Sequence, residues 1–440
     1  MKSNNWRNIS APGNSPSSTR RTRREFLGLV AAALAAPFLP RRAAAQAAAR
    51  VVVVGGGFAG ATCARFLRRR DPRLEVTLVE PNDTFTACPF SNGVLAGLRD
   101  IRDQHFGYQA LRADGIAVVH TAATAIDSQL RRVRLADGAM LPYDRLVIAP
   151  GIDFRWDAIP GYTEAAADRM PHAWKAGAQT LLLRRQVEGM ADGDVMVMAV
   201  PANPYRCPPG PYERACLIAH YLKTRRPRSK LLVLDAKDSF SKQELFTAAW
   251  KHLYPGLLEW VPLSQGGKVT AVDPAAGTVS TDFEKYRPAV ANIIPPQRAG
   301  RIAELAGVAD RTGWCPIDPV TFESRLQPGI HVVGDAAIAG AMPKSAFAAN
   351  AQAKVCAAAV ATLLRGETPE APLLVNTCYS LAAPDYGISV AGVYRPKGGQ
   401  LADVEGAGGT SPLHAAPETR AMEARYAEAW FRTITGEVFG

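Results

Sequence analysis

The stretch VVVVGGGFAG, residues 51–60, decides the fold. Four consecutive valines form a β-branched run of the kind buried on both faces of a parallel sheet, so Val51–Val54 predicts a first strand. The strand runs directly into glycines at the three positions of G-x-G-x-x-G. Gly55 permits a tight turn, Gly57 lets backbone approach a pyrophosphate, and Gly60 lets the following helix, residues 61–70, pack closely on the strand. Twenty residues past Gly60, a second strand over 76–79 ends in Glu80. A carboxylate there accepts hydrogen bonds from an adenosine ribose and repels a 2′-phosphate. Strand, glycines, helix, strand and acid in one register predict a dinucleotide-binding domain.

Two later segments choose the dinucleotide. YDRLVIAPG (143–151) and GIHVVGD (329–335) each read as a strand ending in a small-residue turn. They resemble the later FAD signatures of the disulfide-reductase-like flavoproteins, which brings Gly151 and Asp335 to the cofactor, with Asp335 near the ribityl phosphate. The FAD domain is therefore expected to be split, over 47–160 and 286–370, around an inserted domain over 161–285. In nicotinamide-dependent relatives such an insert carries a second glycine motif. Here the corresponding loop reads VMVMAVPANPYRCPPG (195–210), whose prolines lack N–H groups and fix φ, so it cannot form a cradle of amides for a pyrophosphate.

Composition bounds the remainder. The chain has 440 residues, 48% hydrophobic and 21% charged, which is globular and calls for more than one core. No apolar run is read as long enough to span a bilayer, so stable membrane insertion is not expected. The formal charge of +11 would suggest nucleic acid, but residues 1–46 alone carry a net +7 and leave +4 for the rest, so nucleic-acid binding is set aside. Thr22-Arg23-Arg24-Glu25-Phe26-Leu27 has the twin-arginine pattern, a short apolar stretch follows to Leu39, and Ala43–Ala45 offers a cleavage site. The leader predicts export of a folded, cofactor-loaded protein to the periplasm. There, disulfides between distant cysteines persist. None of the seven cysteines lies in a haem or zinc motif, so neither haem nor metal is expected.

Longer phrases identify a family. RCPPGPYERA (206–215), IIPPQRAG (293–300), GWCPID (313–318), MPKSAFAANAQ (342–352) and NTCYS (376–380) resemble the flavoprotein subunit of flavocytochrome c sulfide dehydrogenase and its sulfur-oxidation homologues, across essentially the whole mature chain. The resemblance implies an α/β protein with two Rossmann-like three-layer domains of the disulfide-reductase-like flavoprotein type and a smaller C-terminal α+β interface domain over 371–440. It implies sulfide as substrate, FAD as cofactor, and a separate c-type cytochrome as partner. Cys207 and Cys378 match a redox disulfide beside the flavin, where HS⁻ would attack by thiol–disulfide exchange. A purely stabilising bridge is the alternative, and Cys216 is the rival partner for Cys207. Glu213 is placed near the disulfide as a proton acceptor, against an ordinary helix-start glutamate. Cys88 matches the position bonded to the flavin 8α-methyl. Lys344, before a predicted helix, would bring positive charge to the flavin pyrimidine.

The other cysteines have plainer readings: Cys63 and Cys356 as small hydrophobes within helices, Cys315 without a catalytic role. In the last helix Met422, Tyr426 and Trp430 recur at i, i+4 and i+8, a stripe read as core before partner surface. Two other functions compete. A sulfide:quinone oxidoreductase would need membrane contact, for which the C-terminal region offers no basic amphipathic helix. A non-enzymatic flavoprotein that reactivates thiols of a sulfur-oxidising complex would show little turnover.

Overall fold

The computed structural model describes residues 48–440. The leader over 1–46 lies outside these residues. In chain order, β1 (Arg50–Val54), α1 (Phe58–Arg70), β2 (Glu75–Val79), β3 (Ala117–Val119) and β4 (Arg145–Ile148) open the first domain. The insert follows with α2 (Ala178–Glu188), β5 (Val195–Val200), α3 (Gly210–Arg225), β6 (Lys230–Asp235), α4 (Gln243–Leu253), β7 (Leu258–Val261) and β8 (Val290–Ile293). The chain then returns through β9 (Ile330–Val332) and α5 (Ala346–Leu364), and ends with β10 (Leu374–Ala383), β11 (Tyr386–Lys397), β12 (Gln400–Asp403) and α6 (Pro417–Phe439).

The first sheet is parallel, in the order β9-β4-β1-β2-β3. Strand order reverses between β1 and β4, and a crevice opens beyond the carboxyl ends of those two strands. The valines of β1 are buried on both faces because helices cover the sheet. The second sheet, β7-β6-β5-β8, is also parallel. It moves a boundary. The split expected at 286 falls later in the chain, since Val290–Ile293 pairs with Met196–Ala199 and so belongs to the insert. The reason is a non-local pairing that the short stretch Val-Ala-Asn-Ile does not announce by itself.

Helix α5 corrects a second expectation. Its 19 residues are long and apolar enough to cross a membrane, although the sequence reading found no such run. It is an interior helix: it packs on α1, Asn350 Nδ2 donates to Thr62 Oγ1 at 3.0 Å, and Gln352 Oε1 accepts from the Gly334 amide at 2.9 Å. A buried helix lacks the polar face that would break its hydropathy. Cys63 and Cys356 are fully buried on these two helices, as expected of small hydrophobes.

The C-terminal unit is an antiparallel β10-β11-β12 sheet under α6. Of the stripe read as core on α6, only Trp430 packs inward, half-buried at the cavity beside Phe347 and Tyr379. Met422 and Tyr426 are 38% and 50% exposed, whereas Phe431, Ile434, Val438 and Phe439 are buried. The helix carries two apolar stripes, and the second meets the rings of Phe58, Phe85, Phe90 and Phe106.

Candidate active site

One cavity collects most of the site residues singled out in the sequence. Its wall includes Gly57, Cys88, Gly151 and Asp335 from the first domain, Cys207 and Glu213 from the insert, and Cys378 from β10. The glycine turn closes it on one side. A Cβ at Gly60 would overlap the Gly55 carbonyl, and Gly55 itself has φ +100°. Helix α1 begins at Gly57 with no side-chain cap and no acid in its first turn, so its leading N–H groups are free for an anion.

Cys207 sits on the loop between β5 and α3 at φ 58°, a region L residues rarely adopt. Its amide donates to the Lys344 carbonyl at 2.7 Å, and its own carbonyl accepts from Gly210 at 2.8 Å. Gly210 must lack a side chain: a Cβ there would lie 2.9 Å from both the Cys207 sulfur and the Trp174 ring. Cys378 lies on β10 between Asn376 and Ser380, all three on one face of the strand. Asn376 Nδ2 is 3.5 Å from its sulfur. All seven cysteines are free thiols, so the expected bond between Cys207 and Cys378 is not formed in this structure; what is present is the two thiols on one cavity wall. Cys216, the rival partner, is not on the cavity wall. It is fully buried in α3, where its sulfur accepts from Trp250 Nε1 at 3.0 Å.

Glu213, in the first turn of α3, is held by two donors: the Leu381 amide at 2.9 Å and Asn92 Nδ2 at 2.8 Å. Burial raises its pKa, and those bonds with the charges of Lys242 and Arg214 pull back against it. Burial likewise pushes the Cys207 thiol up, reinforced by Cys378 and Glu213 and opposed by Arg206 and Lys242. The sequence reading missed those cations. Arg214 is 2% exposed, and its guanidinium bonds Asn92 Oδ1, Asn292 Oδ1 and the carbonyls of His172 and Ala173 at 2.5–3.1 Å. Lys242 is 8% exposed and donates to the Cys378 carbonyl at 3.1 Å and Ser380 Oγ at 2.8 Å. Arg214 was within reach of reading, since it adjoins Glu213 in a quoted phrase; Lys242 carried no local signal.

Four predicted residues lie off the cavity wall: Gly55 and Gly60, which shape the turn behind Gly57, and Glu80 and Lys344. Glu80 ends β2, and its carboxylate accepts from the Gly56 amide at 2.8 Å and from Asn82, which braces the glycine turn. Lys344 turns its ammonium to the carbonyls of Asp335 and Ala337 at 2.7 and 2.8 Å and lies over the Trp314 ring. Burial lowers its pKa to about 8. Ser345, next to it, faces the cavity and caps α5 through the Ala348 amide.

Comparison with known proteins accords with this arrangement. Residues 180–295 match the family model described as sulfide dehydrogenase [flavocytochrome c] flavoprotein chain, central, and residues 370–439 match flavocytochrome c sulphide dehydrogenase, flavin-binding. Residues 49–185 match pyridine nucleotide-disulphide oxidoreductase. The sulfide dehydrogenase [flavocytochrome c] flavoprotein chain of Chlorobaculum thiosulfatiphilum is 64% identical over 38 residues, which are 9% of this chain and 79% of that sequence. The chain belongs to the flavocytochrome c sulfide dehydrogenase flavoprotein family.

Members of this family share their fold with other flavoproteins. The mitochondrial sulfide:quinone oxidoreductase of Mus musculus is 22% identical over 338 residues, 71% of each chain. The sulfide:quinone oxidoreductase structure from Aquifex aeolicus superposes with a TM-score of 0.70 at 16% identity, covering 89% of this chain and 92% of that one. The fold is that of the α/β disulfide-reductase-like flavoproteins, and the protein is a flavoprotein oxidoreductase that uses FAD. The residues present fit that cofactor. The uncapped helix at Gly57 suits a pyrophosphate, Asp335 faces the cavity, and Trp174 Nε1 is a buried donor on the cavity wall with no partner among the described residues.

Proposed function

We propose that this protein is an exported sulfide dehydrogenase that oxidises sulfide at a Cys207–Cys378 disulfide and passes the electrons to a separate c-type cytochrome in the periplasm. The observation that carries the reading is the meeting of two cysteines from distant parts of the chain on the cavity wall that also holds the glycine turn. HS⁻ attacks one sulfur of the pair, a persulfide forms there, and the other sulfur leaves as a thiolate. Glu213 takes the proton of H₂S: burial raises its pKa and makes it a better proton acceptor, while Leu381 and Asn92 hold the carboxyl in place. Arg214 and Lys242 offset the negative charge that builds up among these groups. Bound FAD supplies the two-electron acceptor. Cys88, on the same wall, is assigned the thioether to the flavin 8α-methyl, which retains the cofactor outside the cytoplasm.

Single substitutions Cys207→Ser and Cys378→Ser test the chemistry. Each is expected to abolish bleaching of the flavin absorbance by sulfide while flavin content stays near that of the parent. Bleaching that survives both changes would remove the disulfide from the mechanism. Acid precipitation tests the linkage: flavin stays with the parent protein and is released from Cys88→Ala. A quinone acceptor is the second reading, favoured by the sulfide:quinone oxidoreductase relative. Sulfide-dependent reduction of cytochrome c in detergent-free buffer, with little reduction of a soluble quinone, is the outcome expected of the first. For export, Arg23→Lys with Arg24→Lys retains the protein in the cytoplasmic fraction.

A further inference from the structure

The two sulfurs stand in unequal surroundings. Cys378 has a donor aimed at its sulfur, since Asn376 Nδ2 lies 3.5 Å away. The orientation of that amide is fixed from its other end. Ser345 Oγ accepts from the Ala348 amide at 3.0 Å, so its own proton goes to Asn376 Oδ1 at 2.6 Å, which leaves the NH₂ group of Asn376 facing the sulfur. The β10 backbone beside Cys378 also carries a cation: Lys242 is anchored to the Cys378 carbonyl and to Ser380 Oγ. Among the described residues no carboxylate is within ion-pair distance of the Lys242 ammonium; Glu213 and Glu423 act on it from farther away, and burial lowers its pKa. Its φ of 62° shows that the chain holds it there against its local preference. Cys207 has no donor within hydrogen-bond distance of its sulfur among the described residues; Gly210 packs beside it, and the charges of Arg206 and Lys242 reach it only against burial, Cys378 and Glu213.

We propose that Asn376 and Lys242 make Cys378 the sulfur that bears negative charge, Asn376 by direct donation to it and Lys242 as a positioning residue whose ammonium is its counter-charge. The proposal rests on the disulfide reading above and adds a direction to it. HS⁻ forms a bond to the Cys207 sulfur, the bond between the two cysteine sulfurs breaks, and its electron pair departs on Cys378. The products are a Cys207 persulfide and a Cys378 thiolate, with one negative charge before and after and no further oxidant. The more stabilised thiolate is the better leaving group.

The groups that face this sulfur are Lys242 from the start of α4, Cys207 from the loop before α3 and Tyr394 from β11; Glu213 of α3 acts on Cys207 and Lys242, Glu423 of α6 on Lys242, and Arg206 and Lys242 on Cys207. Full-length, flavin-loaded protein is reduced and then alkylated with iodoacetamide from neutral to alkaline pH, and modification of Cys207 and Cys378 is followed separately by peptide mass spectrometry. The parent is expected to modify Cys378 at the lower pH midpoint of the two. Lys242→Met should raise the Cys378 midpoint by about one pH unit, as loss of a nearby opposite charge does, with Lys242→Arg staying close to the parent. Asn376→Leu, which keeps the shape and removes the donor, should raise it in the same direction, and it decides the matter if Lys242→Met does not fold. A Cys378 midpoint that is unmoved by these changes, or a Cys207 thiol more acidic than Cys378 in the parent, overturns the proposal. Failure of the disulfide reading looks different: sulfide still bleaches the flavin in the two cysteine variants, whatever the alkylation midpoints are.

Discussion

Gly60 carries a constraint no other residue can meet. The place its Cβ would occupy is taken by the Gly55 carbonyl, with Ala149 3.3 Å away, so any side chain forces α1 off β1. The atom in the way is backbone of the turn itself, so it cannot swing aside as a flexible side chain would. Overpacking of this kind costs about 1–3 kcal/mol, and the displacement falls on the helix N-terminus that would hold a pyrophosphate. Gly60→Ala is therefore expected to lower the urea midpoint and to reduce the flavin-to-protein ratio at least tenfold. Purified Gly60→Ala protein with the parent's flavin ratio would mean that the turn does not hold the cofactor. Gly57 was assigned its role for close ligand approach, and it does border the cavity, with only the Phe85 ring near the position of a Cβ.

Helix α6 ties the C-terminal unit to that same turn. Phe439 stacks on Phe85 and Phe106 with centroids 5.2 and 5.4 Å apart, and meets Phe58 and Tyr108 edge-on at 5.8 and 6.2 Å. Phe58 and Phe85 also border the cavity, so the end of the helix supports the cofactor side of the first domain. Arg65 of α1 reinforces the junction by donating to the carbonyls of Glu437 and Gly440 at 2.8 and 2.7 Å. Truncating a buried phenylalanine to alanine costs about 3–5 kcal/mol. Phe439→Ala should show a loss of about 3 kcal/mol in urea unfolding, the low end of that range because the site is at the rim, together with faster loss of any flavin not covalently held. A change below 1 kcal/mol would show that the aromatic cluster does not couple the two units. The period-3.6 pattern that suggests Met422, Tyr426 and Trp430 as a core face holds only at Trp430, because sequence periodicity finds an apolar face and only the partner surface decides how much of it is covered.

Across the whole molecule, what could be read from sequence was what is local. The β1 run, the glycine turn and the terminal Glu80 form a contiguous unit whose residue types follow from backbone geometry, so the first domain was legible. The boundary after β8 was not, because it depends on a pairing between distant segments. The site divides the same way. Cys207, Cys378 and Glu213 stand in distinctive phrases together with Arg214 and Asn376, whose roles depend on neighbours that tertiary packing supplies, whereas Lys242 lies in no such phrase. His172 is another such residue, and it links the fold to pH. It is 6% exposed, its Nδ1 accepts from the Trp174 amide at 2.8 Å, and burial, with Arg214, Lys175 and Arg206 nearby, lowers its pKa to about 3. The folded protein thus keeps it neutral while the unfolded chain takes up a proton below about pH 6.5, so its contribution to stability is present above that value and is lost as pH falls toward 3. Glu213 and Asp335, whose pKa values burial raises, work in the opposite sense, so the difference between two proteins isolates the histidine. Asparagine preserves the acceptor toward Trp174 without titrating. Relative to the parent, His172→Asn should be about 2 kcal/mol better placed at pH 5 than at pH 7, the amount one proton costs over that interval. Chemical denaturation at the two pH values measures it, and a parent-to-variant difference that is the same at both would show that His172 is charged in the folded protein.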